Sequence, residues 1–336
     1  MAAGFTIPAD RARRLESLWR RRGYSVNRLL ARSGVSRDLL ISPGGRLTQA
    51  QFSSLFRSAA FVRRDESWGL CPQPIALGTF SMICRAAVGQ RTLGQVLNNG
   101  LANYRVVTRA FTGRLRVDES SVARVSVRDS IDDPDARRQF HQTFLFFLYS
   151  LMCWTTDRRV PLRAVHVVSP SSEASEELAR AYRAPIVYDS PLTELVFDAR
   201  WLRLANVQDL QSVNELLRHS PGILAVAFDD KTDITERVRR YLRKNVTRQN
   251  SLDDAATQLR MSVATLRRRL DKEGISFQKL KDDVRRDMSI NLLVGSDMRL
   301  EELAGRVGFL EVSAFHRAFR RWTGCAPSDY RSRRAE

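Results

Sequence analysis

The segment Leu303 to Trp322 constrains this chain more than any other. Leu300, Leu303, Ala304 and Val307 recur at helical spacing and give a short helix one apolar face. Gly308 permits a turn, and Phe309 is placed to plug the core beneath it. Phe315, Phe319 and Trp322 then fall at i, i+4 and i+7, a single buried stripe on a second helix. That stripe leaves Val312, Ser313, His316, Arg317 and Arg320 facing outward. A short helix, a glycine turn and a second helix with aromatic residues inside and arginine outside is the pattern of a helix-turn-helix. The second helix of such a pair lies in the major groove of DNA.

A similar unit lies about fifty residues upstream. Ser251 with Asp254 three residues on reads as a helix start, and Ala255, Ala256 and Leu259 offer a small face for close packing. Arg260-Met261-Ser262 turns the chain. The following helix buries Leu266 and Leu270, so Val263, Ala264, Arg267, Arg268 and Asp271 face away. Between the units, Ser276 caps a helix expected to run to about Val294, a length of about 27 Å. Successive major grooves on one side of a duplex are roughly 34 Å apart, so a spacer of this length suits two reading helices. Arg267 and Arg268 can fork to guanine edges, and Arg269 can reach phosphate.

Charge agrees with a polyanionic partner. The 336 residues include 55 Lys and Arg against 37 Asp and Glu, a formal charge of +18. Residues 233–336 contribute +8 of this and residues 1–232 the other +10, so charge alone does not locate the binding surface. Enzymatic signatures are absent. The cysteines Cys71, Cys84, Cys153 and Cys325 form no CxxC pair and sit near no His at metal-ligand spacing. Ser276-Phe277-Gln278-Lys279 matches SxxK but lacks the partner motifs, and reads as a helix cap. Phosphate-loop, HExxH, GxSxG and GxGxxG patterns do not occur. No enzyme activity, cofactor or metal is expected. The basic stretch Arg11 to Arg22 has no apolar run behind it, and Phe144 to Trp154 is too short to span a bilayer. A cytoplasmic protein with no membrane contact is expected.

Upstream of residue 221 the pattern differs. Residues 8–66 read as helices punctuated by Gly23, Gly34 and Pro43-Gly44-Gly45. Gly69 to about Tyr104 reads as helical, with Thr92 capping Leu93–Tyr104. Leu115–Val117 and Val122–Arg128 alternate as half-buried strands do. A long helix starts at Asp133-Pro134 and runs to about Thr155. Strand is expected over 162–168, helix over 172–183, short strands at 186–188 and 195–197, and helix near 207–217. The fold class is therefore α+β: a mixed domain over 1–220 (helical over 1–68, mixed over 69–220), a linker over 221–232, and an all-α domain over 233–336. The latter carries two helix-turn-helix units, about 251–272 and 299–323, joined by a linker helix.

The run Leu303-Ala304, Gly308-Phe309, Ser313, Phe315, Arg317, Phe319-Arg320-Arg321, Gly324, Pro327 and Tyr330-Arg331 resembles the DNA-binding domain of the AraC/XylS family of bacterial transcription regulators. The likeness covers about 235–331. Leu270, Ser289 and Cys325-Ala326 depart from that family's usual residues. Residues 8–220 resemble, less specifically, the arabinose-binding-like N-terminal domain of one branch. The landmarks are Trp68-Gly69-Leu70, Pro74, Leu77-Gly78, Thr92-Leu93 and Leu195-Val196-Phe197-Asp198. The resemblance implies an effector-responsive activator that binds double-stranded DNA, works with RNA polymerase and can pair as a homodimer. Ala264, Arg267, Arg268, Ser313, His316 and Arg317 are the candidate base readers, and Arg269, Arg320 and Arg321 the candidate phosphate contacts. For an unknown small-molecule effector the candidates are Arg85, Arg105, His141 and Trp154. The alternative is a nucleoid or RNA-binding protein acting through charge alone.

Overall fold

The alternation over 111–129 becomes a hairpin. The computed structural model describes residues 5–170, 179, 181–224, 233–247 and 250–332. In it β3 (Phe111–Val117) and β4 (Val122–Asp129) pair antiparallel, in register from Phe111 opposite Asp129 to Val117 opposite Ala123. β4 also pairs antiparallel with β7 (Thr193–Asp198), and β7 with β5 (Leu162–His166), where a bulge falls between Leu162 and Ala164. The short β6 (Ile186–Val187) adds in parallel to β5, giving the order β3-β4-β7-β5-β6. Leu195 and Phe197 of β7 are fully buried against Leu145, Tyr149, Met152 and Cys153 of α7 (Pro134–Thr156). The start of α7 follows from its sequence: Asp133 accepts from the Asp135 and Ala136 amides, and Pro134 occupies the first turn, where its missing N–H is not needed. In α6 (Leu93–Val107), Thr92 and Gln95 form a reciprocal capping box. Two further helices cover this unit, α5 (Thr79–Ala87) and α8 (Leu210–His219).

One helical expectation is corrected. Helix does not begin at Gly69; it begins at Thr79. Residues 65–75 instead wrap the buried Asp65 carboxylate, which accepts from the Ser67, Gly69 and Ile75 amides and from the Ser67 hydroxyl. Pro72 and Pro74 cannot supply helical N–H donors, and Asp65 organises the loop that they enforce. Most of the helix expected over 172–183, and residues 225–232 of the expected linker, lie outside the described residues.

Contacts divide the chain into two compact units. One comprises residues 14–29 and 56–228 and holds the five-stranded sheet. The other comprises residues 1–13, 30–55 and 229–336. Its helices are α9 (Ile234–Lys244), α10 (Leu252–Gln258), α11 (Val263–Lys272), α12 (Phe277–Gly295), α13 (Leu300–Arg306), α14 (Val312–Thr323) and α15 (Pro327–Ser332). Within this unit the ladder of β1 (Ile7–Pro8) and β2 (Arg46–Leu47) joins the C-terminal helices through polar contacts. The Thr6 hydroxyl donates to Asp287 Oδ1 at 2.6 Å and accepts from Arg46 Nε at 2.6 Å. The Tyr330 hydroxyl donates to the Arg46 carbonyl at 2.5 Å. Arg286 also donates to Asp287 Oδ1, at 3.0 Å, so this buried carboxylate sits among three donors.

Candidate functional site

The two helix-turn-helix units are built alike. Ser251 caps α10 through a reciprocal pair with Asp254, and Ser262 and Ser276 cap α11 and α12 by accepting from the amides three residues on. The turn of the first unit closes when the Met261 amide donates to the Ala256 carbonyl at 3.0 Å. In the second, the Phe309 amide donates to the Ala304 carbonyl at 2.9 Å. Each turn needs one residue in the left-handed region: Arg260 at φ 56° and Gly308 at φ 80°. Leu266 and Leu270 of α11 and Phe315 and Phe319 of α14 are fully buried, which fixes how far each helix is rotated. Matching these pairs makes the second turn one residue longer and sets Ala264 beside Ser313, Arg267 beside His316 and Arg268 beside Arg317.

The outward faces carry the expected residues. Ala264, Arg267, Arg268, Ser313 and Arg317 are exposed, and His316 is half-buried with its ring 6.0 Å from that of Phe315. Arg269 and Arg320 are exposed as well; the residue matching Arg269 in α14 is the buried Ala318, so Arg269 sits toward the flank of its helix. Arg267, Arg268, Arg269, Arg317 and Arg320 form no ion pair with a carboxylate among the described residues. Arg321 differs, since its guanidinium meets Asp282 of α12 at 3.2 Å. Unpaired guanidiniums on an outward face keep their donors for phosphate or base edges. α12 packs against α9 on one side and against α13 and α15 on the other. Its 19 residues span roughly 28 Å.

Arg285 fastens α12 to the second turn. It donates to the Gly308 carbonyl at 2.8 Å and lies over the Phe309 ring at 4.8 Å, and burial lowers its pKa. Phe309 in turn lies 5.7 Å from Phe315 and 6.0 Å from Trp322. Leu310, at 88% exposure, lies just before Glu311, the N-cap residue of α14. Sequence reasoning passed over it, because one apolar residue in a turn breaks no periodicity.

The sheet-bearing unit contains a cavity of about 520 Å³. Aromatic and aliphatic side chains dominate its wall, with Trp68, Phe80, Tyr104, Phe111, Phe144 and Phe147 among the rings. None of the four expected effector residues lines it, and the structure does not bring them together. Arg85 and Arg105 are on the exposed faces of α5 and α6. His141 is buried in a chain of its own: Nε2 donates to Asp129 at 2.9 Å, and Nδ1 accepts from the Thr193 hydroxyl at 2.8 Å. Burial lowers its pKa despite the neighbouring carboxylate. Trp154 packs in an apolar cluster with Val213 and Leu216 of α8, a cluster that shares Phe147 and Leu151 with the cavity wall. The aromatic run does reach the cavity, through Phe144, Phe147, Leu148 and Leu151. Among the described residues the acidic and basic side chains of the wall are Glu66 and Arg57. Burial raises the pKa of Glu66, while its two oxygens accept from the Gly78 and Phe80 amides at 2.7 and 2.8 Å. Among the described residues no helix is long and apolar enough to cross a membrane, and no cluster of side chains could hold a metal ion.

Comparison with known proteins agrees with this architecture. The profile of the arabinose-binding domain of AraC transcription regulators matches residues 23–206, and a helix-turn-helix domain profile matches residues 255–333. The ornithine utilization regulator of Pseudomonas aeruginosa is 28% identical over 328 residues, 97% of this chain and 96% of its own. The regulator VqsM of the same organism is 26% identical over 263 residues, 75% of this chain and 78% of its own. The crystal structure of the regulator CdpR from Pseudomonas aeruginosa covers 82% of this chain and 96% of its own, at 20% identity and a TM-score of 0.34. With an arabinose-binding-type domain ahead of a paired helix-turn-helix, the chain belongs to the AraC/XylS family of DNA-binding transcription regulators.

Proposed function

We propose that α11 and α14 enter successive major grooves on one side of an operator, and that a small molecule bound in the sheet-bearing unit governs this binding. Ala264, Arg267, Arg268, Ser313, His316 and Arg317 read base edges. Arg269 and Arg320 hold phosphates and set register, and Arg321 does so by exchanging Asp282 for DNA. Leu310 is placed to pack on a thymine methyl. The observation that carries this reading is the row of exposed arginines that have no carboxylate partner among the described residues, on two helices whose opposite faces are fully buried. The protein acts in the cytoplasm as an effector-responsive activator. RNA polymerase contact and homodimer formation belong to the same proposal. Kinship with a regulator named for ornithine utilization supports small-molecule control as the mode of action; the cavity wall, not that name, is the guide to the ligand.

The test is footprinting on genomic sites together with binding titrations on matched and mutated operators. Arg267→Ala or Arg317→Ala should cost about 1–3 kcal/mol and relax preference at one base pair. Arg269→Ala should weaken all sequences alike and reduce the salt slope by about 1. Uniform loss in every variant would replace sequence reading by a charge-driven nucleoid or RNA-binding role.

A further inference from the structure

We infer that the ligand of the 520 Å³ cavity is an amphiphile: an apolar body inside the aromatic wall, with an anionic head held at the rim by Arg57. This deepens the proposal that the sheet-bearing unit is a sensor. The volume lies within the range of about 300–1,000 Å³ common to small-molecule sites.

The chemistry of the wall disfavours more polar ligands. A sugar needs a hydrogen-bond partner for most of its hydroxyls, and a zwitterionic amino acid needs an anion and a cation that are both free to pair. Among the described residues Glu66 is the one carboxylate of the wall, and each of its oxygens already accepts from a backbone amide of the same unit. Around it the surface is hydrocarbon and aromatic, which favours burial of an apolar body. Arg57 is the one basic residue of the wall among the described residues. It is exposed, and one guanidinium nitrogen donates to the Arg218 carbonyl at 2.8 Å. That leaves most of its five N–H donors for a carboxylate or similar head. The wall also includes two large apolar side chains that remain in solvent, Phe61 at 66% exposure and Leu77 at 40%. An apolar lip beside a single cation is matched by a molecule with a greasy body and one charged end.

Titration calorimetry and thermal melting on the intact chain test this, with sodium dodecanoate, 1-dodecanol and L-ornithine as probes below micellar concentrations. Dodecanoate and dodecanol should each bind once per chain and raise the melting temperature, and ornithine should do neither. Two variants locate the site. Gly100 lies on α6 in the wall, and a Cβ there meets only Ile83 Cγ2 at 3.5 Å, so Gly100→Leu can start without a clash and project into the cavity. It should weaken both amphiphiles roughly tenfold or more. Arg57→Gln, a change on the exposed surface, should weaken dodecanoate by roughly fivefold and leave dodecanol within about twofold. No saturable amphiphile binding, or binding unaffected by both variants, overturns the proposal. Equal loss of the two probes in Arg57→Gln removes the head-group assignment, and this variant decides the matter if Gly100→Leu does not fold. Footprinting keeps the two readings apart: failed titrations beside intact operator binding sink the ligand, and failed operator binding beside intact titrations sinks the regulator reading.

Discussion

Gly308 and Gly324 have nearly the same backbone, φ +80° and +81°, but different surroundings. A Cβ on Gly324 would meet nothing within 4 Å, whereas a Cβ on Gly308 would lie 2.1 Å from the Val246 carbonyl oxygen and 2.9 Å from an Arg285 nitrogen. Gly324→Ala therefore carries only the left-handed penalty, about 1–2 kcal/mol. Gly308→Ala carries that penalty and also forces backbone apart from backbone. Moving the turn away from Val246 strains the Arg285 hydrogen bond to the Gly308 carbonyl, about 1.5–3 kcal/mol for a charged donor, and the stacking of Arg285 on Phe309, about 0.5–1 kcal/mol. The expected losses are roughly 3–6 kcal/mol for Gly308→Ala and 1–2 for Gly324→Ala. Urea unfolding of both variants of the full chain measures the difference, and operator titration should show the larger loss for Gly308→Ala, whose turn aims α14. Equal destabilisation by the two substitutions would refute the steric argument and leave φ as the sole cause.

Further outcomes follow from other contacts. Asp287→Asn removes the charge that Thr6, Arg46 and Arg286 share and should destabilise the chain by about 2–4 kcal/mol in urea melts; an unchanged midpoint would show that water already screens this cluster. His141 is kept neutral by burial, so its folded pKa lies below its unfolded value. The unfolded chain then binds more protons as pH falls from about 6.5 toward the lowered folded value, and stability present above 6.5 is lost over that window. Asp129 adds to this at lower pH. Burial raises its pKa, but the Ile131 amide, His141 and Arg137 outweigh burial and leave it below the usual carboxylate range, so its contribution fades as pH drops through that lowered value. Melting temperature should fall between pH 7 and 5, and His141→Gln should flatten the decline; an equally steep decline would place the acid sensitivity elsewhere.

Much of the DNA-reading half was legible because its signals are local. Ser251 and Ser276 cap as read, the burial of Leu266, Leu270, Phe315 and Phe319 follows their spacing, and α12 ends within a residue of expectation. The hairpin over 111–129 was legible from alternation, and α7 from Asp133-Pro134. The cavity was not legible. Phe144, Phe147 and Leu151 line empty space while Phe146 and Tyr149 fill the core, and one helical period serves both faces. Arg85 and Arg105 were candidates by charge, whereas the cavity wall is chiefly apolar. His141, a candidate for meeting the effector, is engaged by Asp129 and Thr193, 12 and 52 residues away, which leave no spacing to read. Equally silent was the pairing of Thr6 with Asp287, since tertiary polar contacts have no period.

That pairing bears on how the molecule is made. Thr6 and Asp287 are 281 positions apart, and Tyr330 reaches back to Arg46 across 284. A ribosome adding about 5–20 residues per second needs roughly fifteen to sixty seconds to release the second partner after the first. During that interval the leading strand waits without its final neighbours, while the sheet of residues 111–198 already has all its strands outside the tunnel. The half that grips DNA is thus the last to mature, and a nascent or prematurely terminated chain lacks the closure that would seat it on an operator.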